Sequence, residues 1–264
     1  MIVLHTTAEG CRVVCQHTVN GSHHPHSSHQ SQSRGVPAQY ALTSLDWGIV
    51  TDTAYDALRT YIESTTEIPE ALADARRDAA EFGLTVPDEM TGQLLATLAA
   101  ATGSPSNSTG AVAVTPAAGV VGLYILRGLG DRGTLTCIDP EVEHQSQARN
   151  VFRAAGYAPS RVRFLPSRPL DVMGRLAAGA YQLVYAEVAP VEMPAILQAA
   201  WPLLTPGGTL VLADALLDAT LADESRRDRD TSAAREADEM ARSLEGAIVT
   251  RLPLGAGLTL ITRR

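Results

Sequence analysis

From residue 111 onward, short runs of β-forming residues alternate with stretches of helical spacing, and this alternation constrains the fold more than any other feature. The β runs fall at 111–115, 134–139, 161–165, 183–187 and 209–213, with helical stretches at 118–129, 141–155, 169–177 and 194–204 between them. Strands joined through helices of this length are βαβ units, which specify a parallel sheet. Two last β runs, 247–252 and 258–262, are joined by the tight turn PLGAG and predict an antiparallel hairpin at the sheet edge. The charged segment 225–242 before them predicts a solvated helix.

Upstream, Tyr55, Leu58, Tyr61 and Ile62 share one helical face. A second helix is predicted over 69–82 with Gly83 as its stop, and a third begins near Pro87, where Asp88 and Glu89 suit the helix dipole. Met90, Leu94, Leu95 and Leu98 form the third helix's apolar face, and GSPSNSTG, 103–110, is a loop. Residues 1–44 differ in kind. The segment 20–35 is rich in Ser, His and Gln and reads as a disordered tail. The alternative for this tail is a transition-metal set of Cys11, Cys15, His17, His23, His24, His26 and His29, although their spacing matches no zinc motif.

Composition excludes several functions. A formal charge of −8 and a pI near 5.3 argue against nucleic acid as a partner, since phosphate binding needs clustered cations. There is no Lys, so lysine general-base and Schiff-base chemistry are excluded. Cys11, Cys15 and Cys137 are too few for a disulfide framework and fit a reduced, cytoplasmic setting. No apolar run approaches the roughly 18 residues of a membrane span, and the N-terminus does not read as a signal peptide, so no membrane partner is expected.

Ligands of open parallel sheets sit at the carboxyl ends of the strands, near the switch point in strand order. The residues there are TPAAGVVG (115–122), Asp139, Pro166 and Ser167, Glu187 and Val188, and Asp214 and Ala215. Asp139 could accept hydrogen bonds from ribose hydroxyls or cap the helix that follows Pro140 and Glu141. His144, one turn into that helix, reads as a surface residue. Tyr157, Tyr181 and Tyr185 read as packing residues, and Cys137 as a small buried hydrophobe.

The stretches AVAVTPAAGVVGLYILRGLGDRGTLTCID, YQLVYAEV and LLTPGGTLVLADALL, followed by the hairpin, resemble the S-adenosylmethionine-dependent O-methyltransferases of the catechol and caffeoyl-CoA type, and their actinobacterial relatives in particular. The resemblance runs from about residue 46 to 264. It implies an α/β fold, the Rossmann-like class I methyltransferase fold, with a seven-stranded, mostly parallel sheet. The domains are then a tail, 1–44, and a methyltransferase domain, 45–264, made of N-terminal helices (45–102) and a core sheet (111–264). It further implies S-adenosylmethionine as cofactor, methyl transfer to a small-molecule acceptor, and a homodimer formed through the N-terminal helices.

By the same resemblance Asp139 holds the cofactor ribose, Ser167 lies near the adenine, and residues 86–90 lie near the methionine moiety. Thr115, Ala117 and Gly119 stand where the family has a G-x-G-x-G loop; with Gly122 they are the cofactor-binding candidates there, and Ala113 replaces an acid. Non-glycine residues forced into left-handed geometry in that loop would cost roughly 1–2 kcal/mol each, and Pro116 removes one N–H. Glu187 and Asp214 match family ligands of a Mg²⁺-like ion that would lower the acceptor's pKa, with Ala215 in place of an Asn. They are the expected catalytic and metal residues, and Glu187 also borders the cofactor. Two alternatives stand beside this reading. One is a catalytically degenerate methyltransferase-fold scaffold, motivated by the altered loop. The other is a nicotinamide oxidoreductase, which the missing G-x-G-x-x-G and the terminal hairpin disfavour.

Overall fold

The structure, a computed structural model, describes residues 52–101 and 110–264. The tail 1–44 with its Cys/His set and most of the 103–110 loop lie outside the described residues. Three helices come first: α1 (Asp52–Thr65), α2 (Glu70–Glu81) and α3 (Glu89–Ala101). The sheet domain then runs β1 (Gly110–Val114), α4 (Ala118–Gly128), β2 (Thr134–Ile138), α5 (Val142–Ala154), β3 (Val162–Leu165), α6 (Pro169–Val172), β4 (Tyr181–Ala186), α7 (Met193–Ala200), β5 (Leu204–Leu212), α8 (Arg229–Ser243), β6 (Ala247–Leu252) and β7 (Leu258–Arg263).

The seven strands form one sheet in the order β3-β2-β1-β4-β5-β7-β6. β1 pairs parallel with both β2 and β4, so the chain winds outward to β3 and returns to the other side of β1. That reversal is the switch point, and it puts a crevice between the carboxyl ends of β1 and β4. β7 lies antiparallel between β5 and β6, so the hairpin's second strand is internal and its first strand is the edge.

The period of two along a strand sorts the core into two layers. In β1, Ala111 and Ala113 point to the layer built by α2–α5, while Val112 and Val114 point to the layer of α7 and α8. The helix α4 is apolar almost all round because it is sandwiched: Val120, Val121, Tyr124 and Ile125 are all at most 1% exposed. A Cβ on Gly92 would lie 2.3 Å from the Tyr124 ring, so glycine there lets α3 approach α4. The Tyr124 hydroxyl donates to Glu89 at 2.6 Å and accepts from Arg76 at 2.8 Å, which ties α2, α3 and α4 through one buried network. Burial pushes this phenol up to about 12. Asp88 caps α3, its Oδ1 accepting the Thr91 N–H at 2.7 Å.

The face of α1 behaves differently from its sequence pattern. Leu58 and Tyr61 are exposed, and only Tyr55 and Ile62 are partly covered, with the Tyr55 hydroxyl donating to the Pro253 carbonyl. Cys137 is fully buried in β2, which pushes its thiol far above the ordinary range. No helix among the described residues is long and apolar enough to cross a membrane.

Candidate active site

The chain leaves β1 at Val114 and enters α4 at Ala118 through Thr115, Pro116 and Ala117. The Thr115 hydroxyl accepts the Ala117 N–H at 3.0 Å and donates to Glu187 Oε2 at 2.7 Å. One side chain thus closes the turn after β1 and ties it to the turn after β4. Ala117 has φ −86°, and no residue from 115 to 122 has a positive φ. The expected left-handed strain is therefore absent: the loop takes a path that L-residues adopt freely, so its missing glycines impose no conformational cost.

The strain lies elsewhere. Asp214 (φ 52°), Leu217 (46°), Asp218 (51°) and Ala219 (65°), just after β5, are the non-glycine residues with positive φ among those described. Such geometry persists only where neighbours over-determine it. Here the β6–β7 turn does so: the Ala256 N–H donates to Asp214 Oδ1 at 2.9 Å, the Asp218 N–H to the Ala256 carbonyl at 3.0 Å, and the Leu216 N–H to the Gly257 carbonyl at 3.4 Å. The terminal hairpin therefore sets the position of Asp214.

Asp139, at the end of β2, is buried with its side chain 6% exposed. Gln145 fixes its backbone by donating to the carbonyls of Asp139, at 3.0 Å, and Leu165, at 2.7 Å, which also locks the end of β2 to β3. The Asp139 Oδ2 lies 2.7 Å from His144 Nδ1. Burial pushes the Asp139 carboxyl up, while His144 and the Glu141 N–H hold it down against that effect. His144 is accordingly not the surface residue expected; only 18% of its side chain is exposed, because the start of α5 turns it back onto the acid.

Glu187 is half-buried, and burial raises its carboxyl above the ordinary range; the negative charge of Asp214 adds to the rise, and the Thr115 hydrogen bond opposes it. Tyr185 lies beneath, 2% exposed, with its phenol driven well up by burial and by the charges of Glu187, Asp214 and Asp88. It stays neutral and serves as packing.

Two cavities meet at Glu187. One, of about 500 Å³, is lined by Thr115, Pro116, Ile138, Asp139, Arg168 and Glu187 among others. The second, of about 390 Å³, is lined by Pro116, Glu187, Val188, Met193, Asp214 and Leu217 among others. The structure thus brings together Thr115, Asp139, Glu187 and Asp214 from four separate stretches of sequence.

It does not bring the remaining candidates to the cleft. A Cβ on Gly122 would lie 2.3 Å from the Phe152 ring, so this glycine serves α4–α5 packing. Gly119 faces Ala148 and Val151 of α5, and with Ala117 it borders a small recess beside His144. Ser167 folds back, its N–H donating to the Leu165 carbonyl at 2.9 Å, and the neighbouring Arg168 and Pro169 line the cleft in its place. Sequence reasoning missed Arg168 and the His144–Asp139 pair. The signal for the pair was the spacing of five residues across a helix start, which folds the second side chain back over the first.

A seven-stranded sheet with an internal reversed strand and an acid-lined crevice at the switch point is the Rossmann-like methyltransferase fold. No family model matches the chain. A Mycolicibacterium vanbaalenii protein named "Putative O-methyltransferase" is 34% identical over 208 residues, spanning 79% of this chain and 90% of its own length. A protein of Mycolicibacterium smegmatis with the same name is 35% identical over 208 residues, at 79% and 97% coverage. A crystal structure of a Corynebacterium glutamicum protein superposes with a TM-score of 0.77 at 68% identity, over 80% of this chain and 97% of that one. The O-methyltransferase TomG from Streptomyces achromogenes, solved with S-adenosylmethionine, shares the fold at a TM-score of 0.69 and 23% identity, over 78% and 96% of the two chains. The chain belongs to the O-methyltransferase family of these relatives.

Proposed function

We propose that this protein transfers the methyl group of S-adenosylmethionine to an oxygen of a small-molecule acceptor. The observation that carries the reading is the pair of adjoining cavities that share Pro116, Glu187, Val188 and Ala189 as their common wall, one reaching Asp139 and the other Asp214. The first cavity fits the cofactor. An ionised carboxylate has about four acceptor sites, so Asp139 keeps capacity for ribose hydroxyls after serving His144 and Glu141. When bound, S-adenosylmethionine supplies an electrophilic methyl group on a sulfonium centre.

The chain's own residues supply position and proton transfer. Pro116, Val188, Met193 and Leu217 form an apolar wall of the second cavity against which the acceptor is oriented. Glu187 receives the proton of the acceptor hydroxyl. A carboxylate whose pKa is raised by burial is a stronger base than a solvated one, and a base matched to its task contributes about 10²–10⁴-fold. Asp214, held by the hairpin turn, keeps Glu187 basic through its charge.

The residues fit a divalent ion poorly. Ala215 offers no side-chain donor, which leaves the two carboxylates Glu187 and Asp214 without a third protein ligand, and no group of three His, Cys, Asp or Glu suited to a metal occurs among the described residues. The test is S-adenosylhomocysteine release in the presence of a panel of phenols and aliphatic alcohols, with and without a chelator. Turnover that survives chelation supports the reading; absence of product across the panel, with the cofactor bound, would count against it.

A further inference from the structure

We infer that His144 is a positioning residue for the cofactor: by donating from Nδ1 to Asp139 Oδ2, it fixes the orientation in which that carboxylate meets the ribose hydroxyls. The inference rests on the methyl-donor reading of the cleft and extends it to a residue that does not line the cleft. Four observations support it. The two groups are 2.7 Å apart, in the short range of charge-assisted hydrogen bonds. Asp139 is buried, so its orientation is fixed by its partners and not by water. Its backbone is already clamped by Gln145, which leaves the side-chain rotation as the remaining freedom. And Nδ1 must carry the proton for the bond to exist, because an ionised carboxylate only accepts.

The surroundings of His144 hold it in this role. Phe82 meets the ring edge-on, with centroids 6.4 Å apart. Asp78 of α2 lines the same recess, the loop side contributes only the uncharged Pro116, Ala117, Gly119 and Val120, and on its own element Glu141 and Glu143 are the nearby charges. No cation lines this recess among the described residues. The imidazole therefore sits among acids, with Asp139 as its hydrogen-bonded partner. Its removal frees a buried carboxylate to rotate, and takes away a group that holds the Asp139 carboxyl down. Protonation of Asp139 would then set in at higher pH and cost the ribose an acceptor.

The test is calorimetric titration of the full chain with S-adenosylhomocysteine across a pH series, using His144→Ala, His144→Asn and His144→Gln. Asn places its amide N–H where Nδ1 lies, whereas Gln places it nearer the Nε2 position. Loss of a hydrogen bond to a charged group predicts a Kd raised about tenfold in His144→Ala, with the acid-side loss of binding moved to higher pH. His144→Asn should bind and titrate like the wild type, and His144→Gln like His144→Ala. Equal binding by all variants overturns the inference. So does equal weakening of all three with an unshifted pH profile, which marks a packing role. If the wild type itself fails to bind, the donor reading falls first and the inference with it. Thermal unfolding of each variant identifies any that fail to fold, and the Asn/Gln comparison stands without His144→Ala.

Discussion

Thr115→Val removes the hydroxyl that links the turn after β1 to Glu187 while keeping the side chain's shape. Two bonds go together: the O–H donated to Glu187 at 2.7 Å and the acceptor of the Ala117 N–H at 3.0 Å. A hydrogen bond to a charged group contributes about 1.5–3 kcal/mol. Glu187 is only half-buried, so solvent screening reduces this to about 1–2 kcal/mol. For a domain of this size that is a fall in Tm of about 3–6 °C. The pH dependence is specific. Burial raises the folded-state pKa of Glu187 above its unfolded value. Its contribution to stability is thus fully present below the unfolded value, about 4.3, and lost as pH rises through the folded one. The Thr115 hydrogen bond lowers the folded value and limits that loss. Thr115→Val should therefore be least stable relative to wild type at neutral pH, with the deficit narrowing as pH falls and Glu187 becomes protonated. Thr115→Ser should behave like wild type. Thermal unfolding followed by circular dichroism over a pH series measures both. A deficit that is absent at neutral pH, or constant across the series, would refute the coupling of Thr115 to Glu187.

Other substitutions separate packing from chemistry. Glu187→Gln should lower the transfer rate by about 10²–10⁴-fold with less than a few-fold change in S-adenosylhomocysteine affinity; matched losses in both would assign Glu187 to cofactor binding alone. Gly122→Ala drives a methyl group to 2.3 Å from the Phe152 ring and should cost about 1–3 kcal/mol in urea unfolding, whereas Gly119→Ala, with its nearest neighbour at 3.6 Å, should be tolerated. Ala117→Gly should leave cofactor affinity unchanged and lower stability by about 0.4–1 kcal/mol through the freer unfolded chain; tighter binding would show that the loop does need glycine.

The order of strands and helices was legible because a period of two and a period of 3.6 leave different apolar patterns, and the reversed hairpin was legible from PLGAG. Asp139, Glu187 and Asp214 stood out as candidates because each lies at the carboxyl end of a strand, Asp139 and Glu187 directly after it and Asp214 two residues after it. Gly119, Gly122 and Ser167 were not: a glycine near a cofactor loop looks the same in sequence whether it faces ligand or a neighbouring helix, and only the approach of Phe152, 30 residues further along, decides it for Gly122. The strain after β5 was hidden for the same reason, since left-handed Asp214 depends on Ala256 at a separation of 42 residues. The Thr115–Glu187 bond spans 72 residues and leaves no local mark. Legibility ended where a side chain's role is fixed by a partner distant in sequence.

In the proposed cofactor site Asp139 is the principal ribose contact, beside a loop that lacks the family's glycines. Calorimetric titration of the wild type and Asp139→Ala with S-adenosylhomocysteine tests it most directly. Saturable binding to the wild type, weakened about tenfold or more in Asp139→Ala, is the predicted result. No heat from the wild type at millimolar ligand, or equal affinity in the two proteins, would contradict it.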